Sequence, residues 1–125
     1  MKNNGDRRVV VLGASDNPER YSYRAVRELL HNGFTVFPVN PRLTELFGRA
    51  VVHSLQDIQV PVDTVTVYLS PHHSSPLIQD IIQLHPGRVI LNPGAENPKL
   101  EQALEQAGIP WIHACSLVLL STNRF

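Results

Sequence analysis

A small-residue turn, Gly13-Ala14-Ser15, follows the unbroken apolar run Val9-Val10-Val11-Leu12 and precedes, across a polar loop, Ser22 and the helical run from Tyr23 to Leu30. A buried strand that ends in such a turn and feeds a helix leaves the first helical N–H groups unpaired, where the helix dipole favours an anion. The pattern is that of a phosphate seat. Gly13 is the turn's only glycine, so the three-glycine dinucleotide fingerprint is absent, and an ordinary strand-to-helix turn without ligand is the alternative. A second group is Asn40-Pro41-Arg42. An NAD site usually places an Asp or Glu at the end of its second strand to take the ribose hydroxyls. Here a neutral amide, a proline and a cation stand instead. A cation suits a phosphate on the adenosine ribose, which leaves NADP and coenzyme A as candidates beside a solvated loop arginine.

Acid–base chemistry has thinner support. His72 and His73 are adjacent, and His113 precedes Cys115 by a single residue, Ala114. A cysteine–histidine couple needs its thiol in an electropositive cleft. Cys115 follows the last expected strand, so it reads as a small buried hydrophobe, and the histidines read as solvated or packing residues. No complete active site is expected.

These groups are positioned by alternating strands and helices, without an internal repeat. Arg8 to Leu12 is expected as a strand buried on both faces, as in a parallel sheet. Ser22 is expected to cap a helix with Ala25, Val26, Leu29 and Leu30 on one face, stopped by Asn32-Gly33. Thr35 to Val39 is the second strand, ended by Asn40-Pro41. A loop from Arg42 to Arg49 leads to a third, short strand at Ala50 to Val52 and a helical turn from Ser54 to Ile58. Val62 to Leu69 is a long strand. Ser75 and Pro76 are expected to open the next helix, through Leu84, with Leu77, Ile78, Ile81 and Ile82 buried. Arg88 to Leu91 is a strand, Asn97-Pro98 starts a helix that Gly108 ends, and Pro110 to His113 is the last strand. The tail from Ser116 to Leu120 packs back as helix or strand.

Such alternation predicts one α/β domain, a doubly wound, mostly parallel Rossmann-like sheet over residues 1–125, with strand order 3-2-1-4-5-6. The loops after the first, second, fourth and fifth strands then flank a crevice at the switch point. The chain's 125 residues suffice for a core without a staple. Eleven basic residues balance eleven acidic ones, so no nucleic-acid or membrane footprint shows. The single cysteine excludes an internal disulfide and a multi-cysteine metal site, and suits a reducing compartment. Met1 to Arg8 lacks the apolar core of a signal peptide, and no run approaches the roughly 18 apolar residues of a membrane span. A cytoplasmic protein is expected.

Four segments in order, Gly13 to Arg24, Val39 to Arg42, Ser54-Leu55 before Pro61-Val62-Asp63, and Asn92 to Asn97, resemble the stand-alone CoA-binding proteins. That family is similar to the CoA-binding domain of the succinyl-CoA synthetase alpha subunit and of NDP-forming acyl-CoA synthetases. The resemblance covers nearly the whole chain. It implies a Rossmann-like domain holding the adenosine and phosphate portion of coenzyme A or an acyl-CoA, as a carrier, a sensor or a detached partner of a larger enzyme. Self-assembly stays open, and an NADP-dependent oxidoreductase is the rival reading.

Carried onto this chain, the resemblance implies phosphate contacts from Gly13, Ala14, Ser15, Ser22 and Tyr23, with added charge from Arg20 and Arg24. Val39, Asn40 and Pro41 would line the adenosine pocket, and Arg42 stands where a Lys or Arg suits the ribose 3′-phosphate. Ser70 and Pro71 would border the adenine, and Asn92, Pro93 and Gly94 would close the far side. Leu91-Asn92 replaces the family's usual aromatic and Gln, and His113-Ala114 its Asp-Arg before the cysteine. The succinyl-CoA synthetase reaction uses a phosphohistidine that a further domain supplies.

Overall fold

The computed structural model describes residues 3–125. In chain order the elements are β1 (Arg8–Leu12), α1 (Tyr21–His31), β2 (Thr35–Val39), β3 (Glu45–Leu46), β4 (Arg49–Ala50), β5 (Thr64–Val67), α2 (Pro71–Ser74), α3 (Ile78–Leu84), β6 (Arg88–Leu91), α4 (Pro98–Ala107), β7 (Trp111–His113) and α5 (Ser116–Ser121). Five strands form one sheet in the order β2-β1-β5-β6-β7, and every pairing in it is parallel. The apolar run of β1 explains its central place. Val10 and Leu12 face Ile81 of α3 and Leu100 and Leu104 of α4, whereas Val9 and Val11 face Val26 and Leu29 of α1 and Leu120 of α5. Alternate residues of a strand point to opposite faces, so a strand covered on both sides is apolar throughout. The Rossmann-like architecture is as the alternation predicts.

The expected third strand is not there. Ala50 belongs to a two-stranded antiparallel hairpin with β3, and Val52 keeps one parallel bridge to Val39. Proline chemistry accounts for this. The Pro38 carbonyl faces the outer edge of β2, where it accepts the Val52 N–H at 2.8 Å, so the donor that proline lacks is missing from that same edge. The strand order is therefore the expected one without its outermost member.

Helix starts also differ from expectation. Arg20, in extended conformation, is the cap residue of α1, and Ser22 lies inside the first turn, buried. The loop before it is folded by its own turns: Ser15 Oγ accepts the Asn17 N–H and Asn17 Oδ1 accepts the Glu19 N–H, both at 3.0 Å. After β5 the helical path begins at Pro71, with Ser70 as cap residue, not at Pro76. Both prolines carry the same local signal. Pro76 is instead passed in a 3-10 segment, Ser75–Leu77, because its missing N–H interrupts the α-helical ladder. The strand expected from Val62 to Leu69 narrows to Thr64–Val67, and the C-terminal tail is helix α5. Asn97 caps α4 through Oδ1, and Gly108, at φ +73°, ends it as expected.

Candidate functional site

Two backbone loops meet at the carboxyl ends of β1 and β2. The N–H groups of Gly13 and Ala14 donate to the Val39 carbonyl at 3.2 and 3.0 Å. The Asn40 side chain completes the join. Its Nδ2 donates to the Ala14 carbonyl at 2.8 Å, and its Oδ1 accepts the N–H groups of Arg42 at 2.7 Å and Leu43 at 3.0 Å. Asn40 thus sets where Arg42 stands relative to the first turn. Gly13, at φ +92°, has a conformation L-residues rarely adopt, and a Cβ there would lie 2.8 Å from Leu69 Cδ2. The glycine is required first by its φ of +92°, and the close approach of the Leu69 side chain after β5 adds a contact the local sequence does not contain.

Below this join is an apolar cavity of about 150 Å³, lined by Leu12, Gly13, Val39, Pro41, Leu55, Leu69 and Leu77, with His53 and Ser54 as its polar members. Sequence reasoning found Gly13, Val39 and Pro41. It missed His53, Leu69 and Leu77 as site residues, although Ser54-Leu55 carries part of the family resemblance. Beside the cavity, α1 points its amino end at the same crevice, and Arg20 provides no side-chain cap to it. With the Gly13 and Ala14 amides engaged, the first N–H groups of α1, from Tyr21 to Tyr23, and those of Ser15 and Asp16 in the turn are the donors left for an anion. Tyr23 packs on Phe47 at 4.7 Å between ring centroids. Arg20, Arg24 and Arg42 are exposed, and the Arg24 guanidinium lies 5.6 Å from the Tyr21 ring centroid.

The far side is built differently. Asn92 is buried and satisfied: Nδ2 donates to Thr66 Oγ1 at 2.7 Å and to the Val67 carbonyl at 2.9 Å, and Oδ1 accepts the Ser116 N–H at 2.8 Å. It fastens β5, β6 and α5 together. Pro93 and Gly94 are exposed beyond it, and Ser70 is exposed beside Pro71, which lines a separate open depression with His72, Ser75, Asn97 and Lys99. Tyr68 Oη is buried beside the Thr66 and Ser116 hydroxyls, which bond each other at 2.8 Å and leave it no well-formed hydrogen bond among the described residues. Burial pushes the Tyr68 phenol up to about 12.

The candidate acid–base groups are dispersed. His72 and His73 are exposed, with rings 5.1 Å apart, and His73 Nδ1 is 3.2 Å from Ser70 Oγ. His113 Nε2 is 2.9 Å from Glu101 Oε2, and Cys115 is the half-buried cap residue of α5. Among the described residues no group of three or more His, Cys, Asp or Glu could hold a metal ion. No described helix is long and apolar enough to cross a membrane. A larger cavity, about 440 Å³, opens among Arg7, Asp63, Thr64 and Arg88 at the opposite, amino ends of the strands. In open α/β sheets ligands bind at the carboxyl ends.

Residues 7–121 match the model of the family described as CoA binding domain. The chain belongs to the CoA-binding domain family. The Bacillus subtilis uncharacterized protein YneT is 28% identical over 102 residues, 82% of this chain and 76% of YneT. A Thermus thermophilus structure is 36% identical with a TM-score of 0.87, covering 95% of this chain and 90% of that one. A dinucleotide-forming acetyl-coenzyme A synthetase from Candidatus Korarchaeum cryptofilum shares the fold at 21% identity and a TM-score of 0.75, with 86% of this chain matching 25% of the synthetase chain. The fold of this CoA-binding domain thus recurs as part of a larger enzyme.

The joint at Asn40 is testable within this frame. Asn40→Ala removes three hydrogen bonds that hold the Arg42 loop to the first turn. It is expected to weaken coenzyme A by a fewfold and dephospho-CoA by less, because the loop that it holds carries Arg42, the candidate partner of the 3′-phosphate. An equal loss for both ligands, measured by calorimetry, would limit Asn40 to supporting the first turn.

Proposed function

We propose that this domain binds coenzyme A or an acyl-CoA through its adenosine and phosphate portion, and carries no complete active site of its own. The observation that supports the reading is the juxtaposition of an uncapped helix amino end, a cationic loop that Asn40 ties to the first turn, and a partly open apolar cavity. In this arrangement the base enters the cavity between Pro41, Val39 and Leu69. The pyrophosphate lies against the first N–H groups of α1, where the dipole and the Ser15 hydroxyl favour it. Arg42 takes the 3′-phosphate, and Arg20 and Arg24 add positive potential at the mouth. Binding chemistry is all that these groups supply.

Isothermal calorimetry is expected to show coenzyme A binding more tightly than NADP or NAD. NAD offers no ribose phosphate to Arg42, and NADP offers one at a different hydroxyl. Equal or tighter NADP binding would favour the oxidoreductase reading over this one.

A further inference from the structure

His53 Nε2 lies 2.8 Å from the Leu43 carbonyl oxygen. A carbonyl only accepts, so Nε2 carries the proton, and in the neutral ring Nδ1 is left as a bare acceptor. Ser54 is the complement. Its oxygen accepts the Gln56 N–H at 3.2 Å at the start of the 3-10 turn Leu55–Asp57, which leaves its O–H free to donate. One acceptor, on the exposed His53, and one donor, on the half-buried Ser54, therefore stand on adjacent residues at the edge of a cavity whose other lining side chains are apolar.

That pair has a chemical complement. The Watson–Crick edge of adenine presents an amine that donates and a ring nitrogen that accepts, whereas hypoxanthine and guanine present the reverse, an oxygen and a ring N–H. The cavity, about 150 Å³, is smaller than the roughly 300–1,000 Å³ of sites that enclose a whole small molecule, so it fits one ring system with the rest of the ligand outside. We propose that His53 and Ser54 read the base: His53 Nδ1 accepts from the 6-amino group of adenine and the Ser54 hydroxyl donates to N1. The inference rests on the coenzyme reading of the crevice and adds to it a selection of adenine over 6-oxopurines. The apolar walls alone would accept any purine. Discrimination comes from the polar pair, because a 6-oxo group against Nδ1 sets two acceptors together and forfeits the hydrogen bond that the 6-amino group makes, a loss that solvent reaching the exposed His53 reduces.

Calorimetry with adenosine 3′,5′-bisphosphate and inosine 3′,5′-bisphosphate tests this, alongside coenzyme A itself. Wild-type protein is expected to prefer the adenosine compound by about threefold to tenfold. His53→Phe keeps a flat ring and removes the acceptor. It is expected to bring the adenosine compound most of the way down to the inosine level, the remainder being the Ser54 contact, while the inosine affinity hardly changes. His53→Gln, whose side-chain oxygen can accept, should restore part of the preference. Coenzyme A binding without a base preference in the wild type, or a full preference retained by His53→Phe, overturns the base-reading role alone. Failure of the wild-type protein to bind coenzyme A overturns the crevice reading, and this inference with it.

Discussion

Gly13→Val is expected to leave no measurable coenzyme A binding and to lower stability by about 1–3 kcal/mol, chiefly from backbone strain. Two features of the site set the size of the effect. Gly13 holds φ +92°, and valine, branched at Cβ, is among the residues least able to follow. The added Cβ also meets Leu69 at 2.8 Å, and Leu69 lines the apolar cavity. Relief of the clash displaces Leu69 from the wall that would receive the base, so the structural and the binding defects have one cause. Denaturant midpoints measure the first and calorimetry the second. Gly13→Ala retains the strain with less bulk and should fall between valine and wild type in both. A folded Gly13→Val protein with unchanged affinity would place the ligand away from this turn.

Arg42→Ala carries the next largest effect. A charge-assisted contact with the ribose 3′-phosphate contributes about 1.5–3 kcal/mol, or roughly tenfold to a hundredfold in affinity. Arg42 is exposed, so solvent and salt screen the pair and the expected loss is about tenfold. Dephospho-CoA lacks the 3′-phosphate. Its affinity should be lower from the outset and should hardly respond to the substitution, which makes the four measurements a double-mutant cycle between protein and ligand. Raising the salt concentration should erode the wild-type preference for coenzyme A over dephospho-CoA. An equal loss for both ligands would assign Arg42 to the loop or the pyrophosphate and turn attention to Arg20 and Arg24.

The two asparagines show how polar residues in the candidate loops serve as scaffold. Both Asn40 and Asn92 were expected at the ligand surface, and both have their side-chain amides committed to protein partners. Buried polar groups are paired as a rule, and a primary amide with two donors and an acceptor can join three segments at once. Asn40 therefore fixes the distance between turn and cation. Asn92, 1% exposed, locks the far strands to α5.

Periodicity and punctuation in the sequence determined the larger part of the fold. The unbroken apolar run of β1, the helical spacing of Ala25, Val26 and Leu29, and the Asn97-Pro98 and Gly108 boundaries are local signals. They depend on neighbouring residues, whose geometry the backbone itself constrains. The candidate turn, the Arg42 loop and their shared place at the carboxyl ends of parallel strands followed from the same logic. Only the tertiary structure decided the rest. Pro38 sits on the outer edge of β2 because of the register of that strand against β1, and this removes the expected third strand. Pro71 and Pro76 have equal local claims to open a helix, and the position of β5 settles which one does. Leu69 approaches Gly13, Asn40 holds Ala14 and His53 reaches the Leu43 carbonyl across stretches of chain that no local pattern links. Such contacts are set by strand register and loop packing, where a shift of one residue would exchange every partner.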